Sequence, residues 1–232
     1  MDDVQISRNG QRLARASSTD QVYEVLYKQV LSLQMPPGTK LSEADMAKQL
    51  GVSRQPVRDA FFRLSQQGFL LIQPQKATRV TSIRVQDIRK ARFVRTAIEV
   101  EVMRRAAEAL SEADIAELRE ILAAQKESID AARRDDFHRL DNQFHQLICD
   151  RSGLGFVWEQ ISENKAHTDR VRFLSLASGS VSAWQEHVKI VQQLEARDAE
   201  GAVLAMREHL SKIEDVIEQL RAENHDWFSD EV

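Results

Sequence analysis

From Thr19 onward, apolar residues recur at Val22, Leu26, Val30 and Leu33, the spacing of one helix face. Pro36-Pro37-Gly38 then predicts a firm stop. Ser42-Glu43-Ala44-Asp45 has the form of a capping box, and Met46, Ala47 and Leu50 give the short helix behind it one apolar face. Gly51-Val52 predicts a tight turn, with Ser53 as the N-cap of a second helix and Pro56 in its first turn, where a missing N–H costs nothing. Val57, Ala60, Phe61 and Leu64 repeat at i, i+3, i+4 and i+7, and Gly68 is a natural end. Two short capped helices around a glycine turn form a helix-turn-helix. Leu70-Leu71-Ile72 and Thr78-Arg79-Val80-Thr81 read as short strands around Gln73-Pro74-Gln75-Lys76, which would make a wing.

Beyond residue 82 the pattern is helical throughout. Caps or breaks near Ser111, Arg134, Gly153, Ser178-Gly179-Ser180 and Asp198 divide it into about six segments. The expected organisation is a loose arm over 1–18, a winged helix-turn-helix over 19–82 and a helical domain over 83–232. The fold class is mainly α.

Composition adds limits. Only 8 Gly and 4 Pro in 232 residues suit long helices better than many short strands. A single cysteine, Cys149, excludes an intramolecular disulfide, suits a reducing compartment and reads as a buried small hydrophobe. No apolar run reaches the ~18 residues of a membrane span, and Met1-Asp2-Asp3 is acidic where a signal peptide is basic. A cytoplasmic protein without membrane contact is expected. The net charge of −4 hides an asymmetry. Residues 1–82 carry 11 Lys and Arg against 7 Asp and Glu, whereas the remainder carries 21 against 29. A basic head on an acidic trunk points to a polyanion partner at the head.

The second helix of a helix-turn-helix offers its N-terminal residues to base edges in the major groove. Here these are Ser53, Arg54, Gln55 and Arg58. Arg54 and Arg58 share one face, away from the apolar row, and Arg pairs bidentately with guanine. Gln55 suits adenine or phosphate. Lys76 and Arg79 on the wing suit phosphate or the minor groove, and Arg8, Arg12 and Arg15 could touch phosphates from the arm. An ordinary solvated basic face is the alternative.

All six histidines follow residue 137. Asp141 and His145 share one helix face. His187 and His209 each stand eleven residues from position 198, hence about 16 Å from a turn there, facing each other in a helical hairpin. An Asp/His/His/His set would suit Zn, Ni, Mn, Co or Fe(II) with positions left for other ligands. Scattered surface histidines remain open on spacing alone. His138, one turn before Asp141, reads as a neighbour of that set or a surface residue. Arg95 and Glu99 at i, i+4 form either an intrahelical pair or an effector contact. His167, Arg170 and Arg172 concentrate charge on another helix, where an inward Arg would suit a carboxylate.

The run from Leu41-Ser42-Glu43 through Leu50-Gly51-Val52-Ser53-Arg54-Gln55-Pro56-Val57-Arg58-Asp59-Ala60 to Leu64 resembles the GntR family of bacterial regulators. The resemblance implies that Arg54 and Arg58 contact operator bases or phosphates. Two positions depart: Ala44, where members often carry Arg, and Gln75, where the wing often carries Gly. Residues 83–232 resemble the FCD domain of the FadR branch, which implies an antiparallel all-α bundle. Its metal-binding members have a D-x-x-x-H motif and two later histidines on separate helices, matched by Asp141 to His145, Glu186-His187 and Glu208-His209-Leu210. The resemblance therefore implies a divalent metal (Zn, Ni or Mn) on Asp141, His145, His187 and His209. It further implies a small organic acid or sugar acid effector, double-stranded operator DNA as partner, and a homodimer acting as a repressor. A metalloenzyme or a metal-sensing regulator on the same residues is the rival. Against the enzyme, the chain has no H-E-x-x-H, no G-x-S-x-G and no nucleotide-binding glycine motif.

Overall fold

The computed structural model describes residues 17–73, 75–223 and 225–229. Most of the expected arm therefore lies outside the described residues. The chain divides into two compact units. One gathers the residues up to Lys28 with Lys40–Arg79, and the other Gln29–Thr39 with everything from Val80.

The helix α1 (Ser18–Leu31), which belongs to the first unit as far as Lys28, buries Val22 and Leu26. The helix stops at Leu31, before the expected proline stop, and Leu33 sits beyond it at φ +57°, a left-handed turn that ends the ladder. The helix-turn-helix is α2 (Glu43–Leu50) and α3 (Arg54–Gln66). Ser42 Oγ accepts from the Asp45 N–H at 3.3 Å, as a cap should. Ser53 has N-cap geometry, φ −70° and ψ 167°, but its hydroxyl makes no capping bond. Gly51 ends α2 at φ +67°, with its N–H turned back to Ala47 and Lys48 carbonyls. Val57, Ala60, Phe61 and Leu64 are all buried, so the helical row faces the core.

The wing is β2 (Leu70–Leu71) and β3 (Thr78–Val80), shorter than expected by a residue each. The pattern did not reveal β1 (Lys40–Leu41), which pairs antiparallel with β3 in the order β1-β3-β2. Two residues give too little alternation to detect. Gln75 stands at φ +60°, the conformation for which a wing glycine is suited.

In the second unit, β4 (Ile83–Arg84) pairs with β5 (Phe228–Ser229). The bundle follows: α4 (Val85–Ala109), α5 (Glu112–Asp130), α6 (Arg134–Arg151), α7 (Trp158–Glu195), α8 (Ala199–Ser211) and α9 (Ile213–Glu223). Ser111 and Asp114 complete a reciprocal capping box at the start of α5. Asp198 caps α8 through the Gly201 N–H at 2.9 Å. The expected break at Ser178-Gly179-Ser180 does not occur; α7 runs through it. A helical glycine costs about 1 kcal/mol, which packing against α4, α5 and α8 outweighs. The true break falls at Lys212, between α8 and α9. Val102, Met103, Leu118, Phe144, Ile148, Ile161, Ile190 and Met206 fill the main core. Cys149 is buried in it, and burial pushes its thiol up to about 12, as befits an inert hydrophobe. Among the described residues no helix is long and apolar enough to cross a membrane.

At Gly51 nothing lies within 4 Å of an added Cβ, so only its φ resists substitution. Gly51→Ala should therefore destabilise the chain by about 1 kcal/mol, and Gly51→Asn by less, in urea titrations followed by circular dichroism. Equal losses for the two would refute the backbone account.

Candidate metal centre and nucleic-acid interface

Four helix positions converge inside the bundle. Asp141 and His145 project from one face of α6, His187 from α7 and His209 from α8. All four are buried, and each offers one donor atom lying within 4.8 Å of the others. The α7–α8 hairpin turns at Arg197, φ +58°, and sets the His187 and His209 rings 4.7 Å apart.

The ring nitrogens carry two different environments. His187 Nδ1 lies 3.0 Å from Gln125 Oε1, and His209 Nδ1 lies 2.8 Å from Glu186 Oε2. His145 Nδ1 lies 2.7 Å from Glu99 Oε2, a close contact without the alignment of a full hydrogen bond. An oxygen acceptor at Nδ1 fixes the proton there and leaves a lone pair on Nε2. The three Nε2 atoms are buried and have no hydrogen-bond partner among the described residues. Three converging imidazoles beside a carboxylate form a donor set that fits a divalent metal such as Zn, Ni or Mn.

The electrostatics agree. Burial holds the His187 imidazole well below its usual range, and neighbouring His209 adds to the depression. Burial does the same to His209, helped by Arg172 and His145. Both rings are thus held neutral. Burial alone would raise the Asp141 carboxyl, but Arg172 and Lys165 more than offset it and hold it well below the usual range. The buried Glu99 is likewise opposed by desolvation but held ionised by Arg95 and His145.

Beside this cluster lies a cavity of about 270 Å³. Arg92, Arg95, Arg172 and Lys212 contribute cationic groups to its wall, His209 links it to the cluster, and Leu210, Ile213 and Val216 give it an apolar side. Arg95 Nε donates to Glu99 Oε1 at 2.7 Å, whereas its buried Nη2 has no hydrogen-bond partner among the described residues. Of the residues singled out for an effector, Arg95 and Arg172 line the cavity and Glu99 lies behind it under His145. His167 and Arg170 are not among the lining residues. Thr168, Arg172, Ser175, Gly179, Ser182 and Glu186 follow the helical period that faces the cavity, and positions 167 and 170 fall off that stripe. Arg170 instead donates to the Thr81 carbonyl at 2.9 Å, and burial lowers it to about 10.

Sequence reasoning missed Lys165, Asp169, Gln125 and Glu186. Lys165 is buried, with Nζ 2.6 Å from Asp169 Oδ1 and 3.0 Å from Asp141 Oδ2. On paper Lys165 and Asp169 are an ordinary i, i+4 surface pair. Gln125 did leave a signal, a polar side chain in line with the apolar Leu118, Ile121 and Leu122 of α5. His138 reaches Asp169 at 3.2 Å rather than the cluster.

At the head, Ser53, Arg54, Gln55 and Arg58 are all exposed at the start of α3, and Lys76 and Arg79 are exposed on the wing. Arg58, 60% exposed, touches Glu43 at 3.3 Å, and Gln55 donates to Asp59 at 2.8 Å. Such solvated pairs hold their partners by about 0–1 kcal/mol and exchange readily for nucleic acid.

Comparison with known proteins agrees with both units. Residues 18–80 match the bacterial regulatory proteins of the gntR family, and residues 91–212 match the FCD domain. The chain belongs to the GntR family. HTH-type transcriptional repressor RspR of Escherichia coli K12 is 37% identical over 213 residues, covering 91% of this chain and 93% of RspR. The structure of E. coli McbR/YncC has the same fold, with a TM-score of 0.75 at 23% identity over 89% of this chain and 100% of that one. The metal-free FCD domain of TM0439 is 26% identical over 59% of this chain and 96% of its own, with a TM-score of 0.50. This GntR protein is accordingly a transcriptional regulator with a helix-turn-helix and an FCD domain, and its relatives are named as regulators rather than enzymes.

Because His187 and His209 are held neutral, the unfolded chain binds protons they refuse once pH falls below the ordinary histidine value of 6.5. Stability under chelator should therefore be retained above pH 6.5 and fall as the solution is acidified below it. The double variant His187→Gln with His209→Gln should flatten that slope and abolish stoichiometric metal uptake measured by elemental analysis. An unchanged slope would contradict the neutral-histidine assignment, and retained metal the donor set.

Proposed function

We propose that this GntR regulator is a homodimeric repressor whose hold on operator DNA is set by a small carboxylate bound at a metal in the FCD domain. The observation that carries the reading is the convergence of the buried Asp141, His145, His187 and His209, whose three Nε2 atoms have no hydrogen-bond partner among the described residues. Leaving such atoms unsatisfied costs about 1–3 kcal/mol each, a cost that a bound cation removes. Asp141, His145, His187 and His209 are the residues that would hold it, and the metal would supply a Lewis-acidic anchor for an anionic ligand.

The chain's own groups supply the rest of the effector site. Arg95 lines the cavity, and a carboxylate is the acceptor that matches a guanidinium. Glu99 orients Arg95 and His145 together, so the anion receptor and one ligand share a single buried support. Leu210, Ile213 and Val216 would take the carbon body of the acid. At the head, Arg54 and Arg58 read base edges, Gln55 reads adenine or phosphate, and Ser53, Lys76 and Arg79 position the backbone. The ordered pairing of two such heads on a pseudo-palindrome follows from two-fold symmetry. An effector changes operator affinity only as far as it binds one conformation of the dimer better than another.

Arg58→Ala should cost about 1–3 kcal/mol of operator affinity and relax sequence preference, while Lys76→Ala should weaken all sequences alike and reduce the salt slope by about one. Binding titrations at several salt concentrations test both, and unchanged affinity for Arg58→Ala would remove it from the readout. For the effector, a thermal-shift screen of sugar acids and dicarboxylates is run with and without chelator. An acid at 100 times its dissociation constant stabilises the chain by about 2.7 kcal/mol, and chelator should erase that gain. Stabilisation by metal alone, with no acid adding to it, would instead mark a metal sensor.

A further inference from the structure

Asp141 is held by two cations that are not alike. Lys165 Nζ lies 3.0 Å from Oδ2, is 2% exposed, and is anchored a second time on Asp169. Arg172 forks onto both oxygens, with Nη2 2.9 Å from Oδ1 and Nη1 3.5 Å from Oδ2. Arg172 is 15% exposed and forms part of the cavity wall. Oδ1 is also the oxygen 3.6 Å from His187 Nε2. The oxygen nearest His187 is therefore the one Arg172 grips most closely, while Lys165 grips the other.

Building on the reading of this cluster as a metal site, we propose that Arg172 is exchanged between Asp141 and the effector carboxylate. A divalent cation drawing on Oδ1 and a guanidinium 2.9 Å from the same atom repel each other in a buried setting, where screening is weak. Lys165 cannot give way, since Asp169 holds it. Arg172 can, because its side chain borders open volume and has a second carboxylate, Glu186, in its electrostatic reach. Turned from Asp141, its guanidinium joins Arg95 in the cavity wall as a receptor for an anion. Metal and carboxylate then bind with positive coupling, and each tightens the other by the same factor. Lys165 is a positioning residue, since it keeps Asp141 turned with Oδ1 toward His187.

The two cations carry opposite predictions. Zn²⁺ affinity is measured on the full-length protein against a fluorescent chelator, with acetate as the carboxylate probe. Arg172→Gln should bind Zn²⁺ about tenfold more tightly than the wild type, because a competitor is gone. Lys165→Met should bind it about 10–100-fold more weakly, because a support is gone. Millimolar acetate should tighten Zn²⁺ binding in the wild type, and Arg172→Gln should cut that coupling factor about fivefold or more. Circular dichroism confirms that each variant is folded, and Arg172→Gln carries the test alone if Lys165→Met is not. Zn²⁺ affinity in Arg172→Gln that equals or falls below the wild type overturns the exchange, since Arg172 would then only brace Asp141. Acetate coupling retained in full by Arg172→Gln overturns it as well. A wild-type protein that takes up no Zn²⁺ sinks both the exchange and the metal reading, so the two failures are distinguishable.

Discussion

A carboxylate and three imidazoles buried in a helical bundle must be satisfied, and much of the trunk is arranged to do it. Asp141 is ionised at 2% exposure only because Lys165 and Arg172 surround it. Each histidine is oriented by a different helix: Glu99 on α4 under His145, Gln125 on α5 under His187, and Glu186 on α7 under His209. Donors and supports together draw on α4, α5, α6, α7 and α8. A single ion bound there would fasten α6, α7 and α8 directly and α4 and α5 through their supporting side chains.

Stability does not explain such a cluster. Replacing a buried ionic network with apolar residues of similar volume is often neutral or stabilising by about 1–4 kcal/mol. The surrounding core of Phe144, Ile148, Ile190 and Met206 could close over the space. Charged groups whose ionisation is strongly displaced by burial and by specific partners, next to a cavity, have the profile of a working site. The head presents the reverse economy. Arg54 and Arg58 are solvated and only weakly engaged, which suits groups that must surrender their partners to a nucleic acid at little cost.

How much of this was legible in the sequence depended on range. Elements set by local rules were readable: Ser42 and Ser111 as caps, Gly51 as the helix-turn-helix corner, and Val57 to Leu64 as a buried row. Elements set by packing were not. The Ser178-Gly179-Ser180 stretch looks like a break, yet α7, which packs along its length against α4, α5 and α8, continues through it. β1 is two residues long and exists only through its pairing with β3. The four clustered residues were readable because i, i+4 spacing and hairpin symmetry are both arithmetic on residue number. Their supports were not, because nothing in the spacing of Lys165 and Asp169 distinguishes a buried pair from a surface one. Arg170 and Arg172 illustrate the limit at its sharpest. Two positions apart in one helix, the first ties down the Thr81 carbonyl and the second borders the cavity, and only the neighbouring helices decide which.

Arg172 also shows why the cluster and the cavity are better treated as one device than as two. His209 belongs to both, its Nε2 among the converging donors and its residue in the cavity wall. Arg95 and Glu99 repeat the connection from α4, one end lining the cavity and the other bracing His145. Charge added at Asp141 and charge added in the cavity are therefore felt by the same side chains across a few ångströms of low-dielectric interior. Under those conditions independent binding of a cation and an anion would be the surprising result. A regulator that must answer to an acid rather than to its metal needs the two to be coupled, so that the ion is retained and the acid carries the signal. In the proposed reading the shared residues would supply that coupling at the site itself.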